Sequence, residues 1–294
     1  MEQQIQQLNA LRGRARRAVF YLGVLLLGVL VFGLSLGMRY AALMGAVTLA
    51  AYALWLRPEK KRYAAAAQEA ILLASAARLQ NPVYGERSAL SPADVQAKAL
   101  LPMESRSAML RYALCGRGAT GRIRLTDVSF VCAFQGEQAQ TRAATFSGCW
   151  AELSTQRDCG FTAVFCVPQL LPRQVLAAWY TGQGLQPART GNPSVLCFEH
   201  PGRPVPPEMM KAICDRLGPL GDFAARFDGQ GACILTLHRF LNCGEPDYKQ
   251  PWTQERIRKA PLRWLDEVLE ALEFPAARIN PENMESEEEH NGNA

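Results

Sequence analysis

Two long runs of apolar residues lie near the start of the chain, at residues 18–36 and 40–56, and three residues separate them. Neither run contains a charged residue. As α-helices with a rise of about 1.5 Å per residue, the runs would be about 26 to 29 Å long, close to the thickness of a hydrocarbon core. The pattern therefore predicts a transmembrane helical hairpin over residues 18–56.

After the hairpin the apolar pattern becomes that of a water-soluble domain. Residues 57–80 are rich in alanine and contain no Gly, which predicts a juxtamembrane helix. Within residues 81–274, runs that alternate in period two predict strands, and runs with helical spacing predict helices. The predicted strands are residues 110–115, 122–134, 144–153, 161–167, 194–199, 223–227 and 233–237, and the predicted helices are 91–101, 172–180, 206–217 and 253–274. Short connections between strands predict an α+β domain with a mainly antiparallel sheet.

Small residues recur along both apolar runs. Gly33 and Gly37 form a G-x-x-x-G pair in the first run, and Ala42, Ala46 and Ala50 recur at four-residue spacing in the second. Small residues on one stripe let membrane helices approach closely. We interpret both stripes as helix-packing surfaces within the hairpin, and a homo-oligomer through Gly33 and Gly37 stays an open alternative.

The basic residues that flank the hairpin predict its orientation. Four basic residues lie in residues 1–17, four follow the second run at Arg57, Lys60, Lys61 and Arg62, and only Arg39 lies in the connecting turn. The positive-inside rule then places both termini in the cytoplasm and makes the chain a multi-pass protein of the cell (inner) membrane. A cleaved signal peptide is the alternative, but a second apolar run follows too soon for that.

The charge balance indicates which partners to expect. Residues 1–62 hold nine basic and two acidic residues, a net of +7, whereas the remainder holds 23 basic and 25 acidic residues, a net of −2. Lipid headgroups are therefore the expected partners of Arg57, Lys60, Lys61 and Arg62. A soluble part that is nearly neutral argues against a nucleic-acid-binding protein. Residues 275–294, which contain five glutamates, predict a disordered acidic tail.

The cysteines and histidines predict no metal or cofactor site. The nine cysteines are odd in number and include no C-x-x-C spacing, so we interpret them as buried thiols rather than as disulfides or zinc ligands. No catalytic residue is predicted. An unfamiliar enzyme or ligand-sensor site that uses Cys149, Cys197, His200 or His238 stays the main rival.

Residues 116–121 fit the phosphate-binding pattern G-x-G-x-x-G. A dinucleotide fingerprint must open a helix, however, and the alternation that starts at Arg122 is that of a strand. The pattern therefore predicts a hairpin turn.

Several short motifs follow one another in an order that resembles a known family. The motifs are residues 90–94 (Leu-Ser-Pro-Ala-Asp), 99–102, 126–130, 146–150 and 207–211, followed by the hairpin over 223–237 and a closing apolar helix. Together they resemble a bacterial membrane-anchored domain-of-unknown-function family, numbered 3137, over residues 57–274. The resemblance implies a transmembrane pair with a cytoplasmic α+β domain, and it implies no activity or site residues.

These observations lead to one main functional expectation. We expect a membrane-anchored, non-enzymatic module that binds another protein or serves as a scaffold on the cytoplasmic side. An anionic-lipid sensor built on residues 57–62 is a further alternative.

Overall fold

The computed structural model describes residues 2–103, 108–135, 140–156, 158–229, 231–244, 246–247, 249–259 and 262–277. The chain forms two compact units, which are Met1–Ala74 with Cys243–Pro261, and Ser75–Asn242 with Leu262–Ala294. The chain therefore passes between the two units three times. The segment that follows the last strand belongs to the unit that holds the apolar helices.

The first unit is built from long helices. Helix α1 spans Glu2–Leu36, α2 spans Met38–Ala51, a π-helical turn spans Tyr52–Leu56, and α3 spans Arg57–Ser75. Between α1 and α2, Gly37 has φ 87°, a backbone conformation that glycine adopts without a steric penalty. The 35 residues of α1 extend over about 52 Å, which is longer than a hydrocarbon core. Residues 2–17 are therefore a continuous helical extension of the first apolar run.

The apolar stretches of these helices are exposed. Only 6% of the most apolar stretch of the first helix and 11% of that of the second are buried. Leu34 and Leu54 are more than four-fifths exposed, which a core helix of a soluble protein would not allow. The chain thus has two helices that are long and apolar enough to cross a membrane.

Within the hairpin, glycines of α1, among them the predicted packing residue Gly33, face α2. A Cβ built on Gly33 would lie 3.0 Å from the Cβ of Ala41, and one on Gly28 would lie 3.8 Å from Cε of Met44. The helical repeat that turns Ala41 and Met44 toward α1 leaves Ala42, Ala46 and Ala50 exposed. Gly37 forms the turn between the helices, and a Cβ there would meet nothing within 4 Å.

Outside the apolar stretches, α1 and α3 form a small core with residues 243–261. Its buried members are Leu8, Ala15, Tyr63, Ala67, Trp252 and Ile257, the last in α7 (Gln254–Lys259). Asn9 binds the backbone of Trp252 twice, since its Nδ2 donates to the carbonyl and its Oδ1 accepts from the N–H, both at 2.9 Å. The indole N–H of Trp252 donates to the hydroxyl of Tyr63 at 2.9 Å. These bonds hold the returning segment on the helix pair.

Within its described residues, the second unit contains a nine-stranded, entirely antiparallel sheet, which confirms the predicted α+β fold. The strand order is β1-β2-β3-β4-β9-β8-β5-β7-β6. The strands are β1 Gln80–Gly85, β2 Met109–Arg117, β3 Arg122–Gln135, β4 Thr141–Ser154, β5 Ala163–Cys166, β6 Gln186–Ala188, β7 Leu196–Glu199, β8 Phe223–Asp228 and β9 Gly231–Leu237. The helices of this unit are α4 Pro92–Ala97, α5 Arg173–Thr181, α6 Pro207–Leu217 and α8 Arg263–Ala277.

Helices cover both faces of the sheet. On one face, the hydroxyl of Tyr180 in α5 donates to the carbonyl of Leu100 at 2.6 Å, and its ring lies 4.7 Å from that of Phe198 in β7. On the opposite face, α8 packs on β4 and β9 and also contacts α6. We call the face under α5 the α5 face.

The structure differs from the predicted elements in several places. The helix predicted over 253–274 is two helices, α7 and α8, because Pro261 has no N–H to donate inside a helix. The edge strands β1 and β6 were not predicted, since Pro82 and Pro187 interrupt their patterns. Of the predicted acidic tail, residues 275–277 belong to α8, and residues 278–294 lie outside the described residues.

Candidate functional site

Cross-strand register brings charged residues together on the α5 face. Arg117 of β2 pairs with Arg122 of β3, which pairs with Ser154 of β4. Two residues further along β3, Arg124 pairs with Glu152 of β4. Directly paired residues lie on the same side of a sheet, and alternate residues of a strand share a face. Arginines from two strands therefore cluster at the end of the sheet where β2 turns into β3.

The turn between these strands is the glycine motif at residues 116–121, and the predicted hairpin turn is confirmed. The N–H of Gly118 donates to the carbonyl of Gly121 at 2.9 Å, and β3 begins at Arg122. A Cβ on Gly118 would overlap Oε1 of Glu273, and one on Gly121 would overlap the carbonyl oxygen of Ser154. Glycine is needed at Gly121, where the obstacle is backbone, whereas at Gly118 the obstacles are side-chain ends that can shift.

A cleft of about 840 Å³ opens beside this turn. Its lining comprises residues 80, 81, 83, 115–117, 119–122 and 154–156. We call it the basic cleft, because Arg117 and Arg122 line it and no acidic residue does within the described part of the chain. The other lining groups are mostly uncharged polar ones, so the cleft suits a polar, negatively charged ligand.

Arg117 and Arg122 form a like-charge pair directly across two strands. Both are exposed, and neither has a carboxylate partner within 4 Å among the described residues. Like charges placed opposite each other destabilise a sheet by some tenths of a kcal/mol to about 1 kcal/mol. An anion placed between the two guanidinium groups would remove that repulsion.

Thr120 lies at the rim of the cleft. Its hydroxyl oxygen is buried and has no hydrogen-bond partner in the described structure. Its backbone is held on both sides, because the N–H donates to Oε1 of Glu273 at 3.3 Å and the carbonyl accepts from the hydroxyl of Thr155 at 2.8 Å. The turn is thereby fixed to the end of α8.

A second group of charges continues from the cleft along the α5 face. Glu152 is 5% exposed and accepts from Arg124 at 3.1 Å, while Nζ of Lys98 lies 3.5 Å from its other oxygen. Arg226 of β8 lies 3.7 Å from Asp228 and donates to Oε1 of Gln183 at 2.8 Å. We call Lys98, Arg124, Glu152, Arg226 and Asp228 the charged row. These five residues carry a net charge of +1, and the row is already internally paired.

Two thiols lie among these charges. Burial raises the pKa of Cys115, which lines the cleft, although Arg122 and Arg124 act to lower it. Burial raises the pKa of Cys233, which pairs with Glu152 across β4 and β9, to about 12. Both thiols are therefore protonated at neutral pH and are not prepared as nucleophiles.

The four residues of the rival enzyme hypothesis are not brought together in the cleft. Burial raises the pKa of Cys149 and Cys197 well above that of an ordinary thiol. His200 and His238 are exposed, and Nδ1 of His200 accepts from the N–H of Gly202 at 3.1 Å. None of the four lines the basic cleft.

The predicted lipid-contact residues lie at the start of α3. Arg57, Lys61 and Arg62 are exposed, and Arg62 pairs with Glu59 at 3.3 Å; Lys60 is half-buried. The π-helical turn before them carries Trp55, whose ring stacks on Tyr21 of α1 at 5.6 Å. Amphipathic aromatic rings followed by basic residues are typical of a membrane–water interface.

Sequence reasoning missed the basic cleft and the charged row. Their residues are separated in the sequence and meet only through strand register, and the one local signal was the pair of arginines on either side of the glycine motif. Within the described residues, no group of three or more His, Cys, Asp or Glu side chains could hold a metal ion. No family model, curated protein or solved structure matches the chain.

Proposed function

We propose that the protein is a membrane-anchored binding module whose α+β domain captures an acidic segment of a partner protein in the basic cleft. The Arg117–Arg122 pair is the observation that carries the proposal. Two adjacent cations that have no carboxylate partner among the described residues, beside a large cleft, fit a ligand that brings its own negative charge.

The position of the cleft favours a polypeptide over a small anion. The cleft lies along β1, which is a terminal strand of the sheet in the described structure. An extended peptide can pair its backbone with such an edge while its side chains enter the neighbouring pockets. Val83 of β1, 65% exposed, offers an apolar contact next to the arginines.

The membrane part of the proposal combines the two apolar helices with their flanking charges. Both termini lie in the cytoplasm, in the multi-pass arrangement that the positive-inside rule favours. Arg57, Lys60, Lys61 and Arg62 contact lipid headgroups just beyond the Tyr21–Trp55 pair, which supports this placement. The resemblance to family 3137 suggests a bacterial inner membrane.

Peptide binding to the full chain in neutral-lipid nanodiscs tests the proposal. The probe is a fluorescein-labelled dodecapeptide of alternating Glu and Val, with a Lys/Val peptide as its counterpart, and the readout is anisotropy. We expect saturable binding of the acidic peptide only, weakened at 300 mM salt because exposed charges are screened. The double variant R117E/R122E should lose at least tenfold in affinity, about 1.4 kcal/mol.

The matched control is R173E/R263E, which makes the same change of charge at two exposed arginines outside the cleft. Equal affinity of the two double variants would overturn the proposal. So would equal binding of the acidic and basic peptides by the parent chain.

A further inference from the structure

We propose that the basic cleft selects an extended segment in which an acidic residue and an apolar residue are two positions apart, and that Val83 contacts the apolar residue. The inference rests on the proposed function, because it names the sequence pattern of the acidic segment that the cleft would bind. It makes Val83 a specificity-determining residue beside the two arginines that supply the charge.

Two lines of side chains cross the sheet at the cleft. Directly paired residues on neighbouring strands lie on the same side of a sheet, so the register gives the members of each line. We call the first the arginine line, which consists of Gln80, Arg117, Arg122 and Ser154. We call the second the Val83 line, which consists of Val83, Cys115, Arg124 and Glu152. Both lines lie on the α5 face, because Arg122 and Arg124 are alternate residues of β3.

The arginine line presents positive charge to a ligand. Arg117 and Arg122 have no carboxylate partner within 4 Å among the described residues. The other two members, Gln80 and Ser154, are uncharged, and all four members line the cleft. An acidic side chain that faces this line therefore meets two cations and no competing acid.

The charges of the Val83 line are paired with each other. Arg124 donates to Glu152 at 3.1 Å, and neither of these two residues lines the cleft. The two members that do line it are Val83, which is 65% exposed, and Cys115. Burial raises the pKa of the Cys115 thiol, so it is neutral at pH 7 and behaves as a small apolar group. A ligand side chain that faces this line is therefore stabilised most if it is apolar.

The separation of the two lines determines the spacing of the ligand residues. Cys115 and Arg117 are two residues apart in β2, which is about 6.6 Å along an extended strand. A segment that runs along the strand direction has the same rise, and its residues i and i+2 face the same way. The next pair of residues on this face, Thr126 and Trp150, does not line the cleft. The pattern is therefore limited to one acidic and one apolar position.

Two fluorescein-labelled dodecapeptides of identical composition test the inference with the full chain in neutral-lipid nanodiscs. The first repeats Glu-Ser-Val-Ser three times and places its glutamates and valines alternately on one face of an extended chain. The second repeats Glu-Val-Ser-Ser three times and places them on opposite faces. By anisotropy, we expect the first peptide to bind about fivefold more tightly, because only this peptide can face both lines at once.

The variant Val83→Thr keeps a β-branched residue and replaces one methyl group with a hydroxyl. It should remove the preference by weakening the binding of the first peptide more than that of the second. The matched control is Met109→Thr, at an apolar residue of β2 that is 56% exposed and lies outside the cleft lining, and it should keep the preference. The double variant R117E/R122E should weaken the binding of both peptides.

Alkylation of Cys115 by a neutral maleimide gives a second readout, because this thiol lines the cleft. At saturation, the first peptide should slow the alkylation of Cys115 more than the second does, because only its valine covers the Val83 line. Cys243, which does not line the cleft, should react at the same rate with either peptide.

The outcomes separate this inference from the proposed function. Equal affinity of the parent chain for the two peptides, a preference that Val83→Thr leaves unchanged, or equal protection of Cys115 would each overturn the inference. The proposed function would still stand in those cases if peptide binding depended on Arg117 and Arg122. If the parent chain binds no acidic peptide, the proposed function fails and the inference fails with it.

Discussion

Protonation of a single buried carboxyl, Asp127, should make the α+β unit more stable at mildly acidic pH. Asp127 lies in β3, is 8% exposed, and accepts from the backbone N–H groups of Leu241 at 2.6 Å and Asn242 at 3.1 Å. Burial raises the pKa of Asp127 from 3.8 to about 6, although the two backbone hydrogen bonds act to lower it. The desolvation penalty of the buried carboxylate is therefore larger than the stabilisation that the two backbone hydrogen bonds give it.

The sign and size of the effect follow from this difference. Between about pH 4 and pH 6 the folded state binds more protons than the unfolded state, so the free energy of unfolding rises as the pH falls through that window. A pKa of about 6 against 3.8 corresponds to about 3 kcal/mol between the two limits. The contribution is about 2.4 kcal/mol at pH 4, is complete only below about pH 3, and has disappeared above about pH 7.

Urea unfolding of the full chain in nanodiscs, followed by the β-sheet circular dichroism signal, measures this dependence at several pH values. The variant Asp127→Asn cannot ionise and should reduce the gain between pH 7 and pH 4 by about 2.4 kcal/mol relative to the parent. The exposed Asp215 in α6 provides the matched control, Asp215→Asn. An unchanged pH dependence in Asp127→Asn would refute the reasoning.

Two further substitutions test the architecture around the cleft by the same urea measurement. Gly121→Ala should destabilise the domain by about 1 to 3 kcal/mol, because the new Cβ meets the carbonyl of Ser154. The control Gly85→Ala should change the stability little, because the nearest atom to its new Cβ would be 3.7 Å away. Equal urea midpoints of the two variants would contradict the close approach at Gly121. Glu152→Ala should lower the free energy of unfolding by about 3 kcal/mol, because it removes the carboxylate shared by two cations. The control Glu270→Ala, at an ion pair whose carboxylate is 53% exposed, should lower it by less than about 1 kcal/mol. An equal decrease in the two variants would count against a structural role for the charged row.

Local signals in the sequence predicted much of the fold. Ser91, Pro92 and Asp94 predicted the start of α4, and the structure has the capping box there, with the Ser91 hydroxyl accepting from the N–H of Asp94. The hairpin expected over residues 223–237 is formed by β8 and β9, with Asp228 and Gly229 at its turn. These predictions are correct because the residues that determine each feature are neighbours in the sequence.

The cleft and the charged row could not be predicted in the same way. Arg124 and Glu152 are 28 positions apart, and Arg226 comes from a strand that reaches them only through β9. Each residue alone resembles an ordinary solvated charge, and only the register of four strands places them on one face. The packing of residues 243–261 against the helical unit could not be predicted either, because Asn9 and Trp252, which bind each other, are 243 positions apart in the sequence.

The core shared by the helix pair and the returning segment limits how this protein can be shortened for biochemistry. A fragment that starts at Arg57 would keep Tyr63, Trp252 and Ile257 but lose Leu8 and Ala15, which cover them in the intact chain. Such a fragment would expose an apolar, partly aromatic patch that is covered in the intact chain, and it would aggregate through that patch. Retaining residues 2–17, joined to residue 57 by a short designed loop in place of the exposed apolar hairpin, would preserve the contacts of Leu8 and Ala15 with this core.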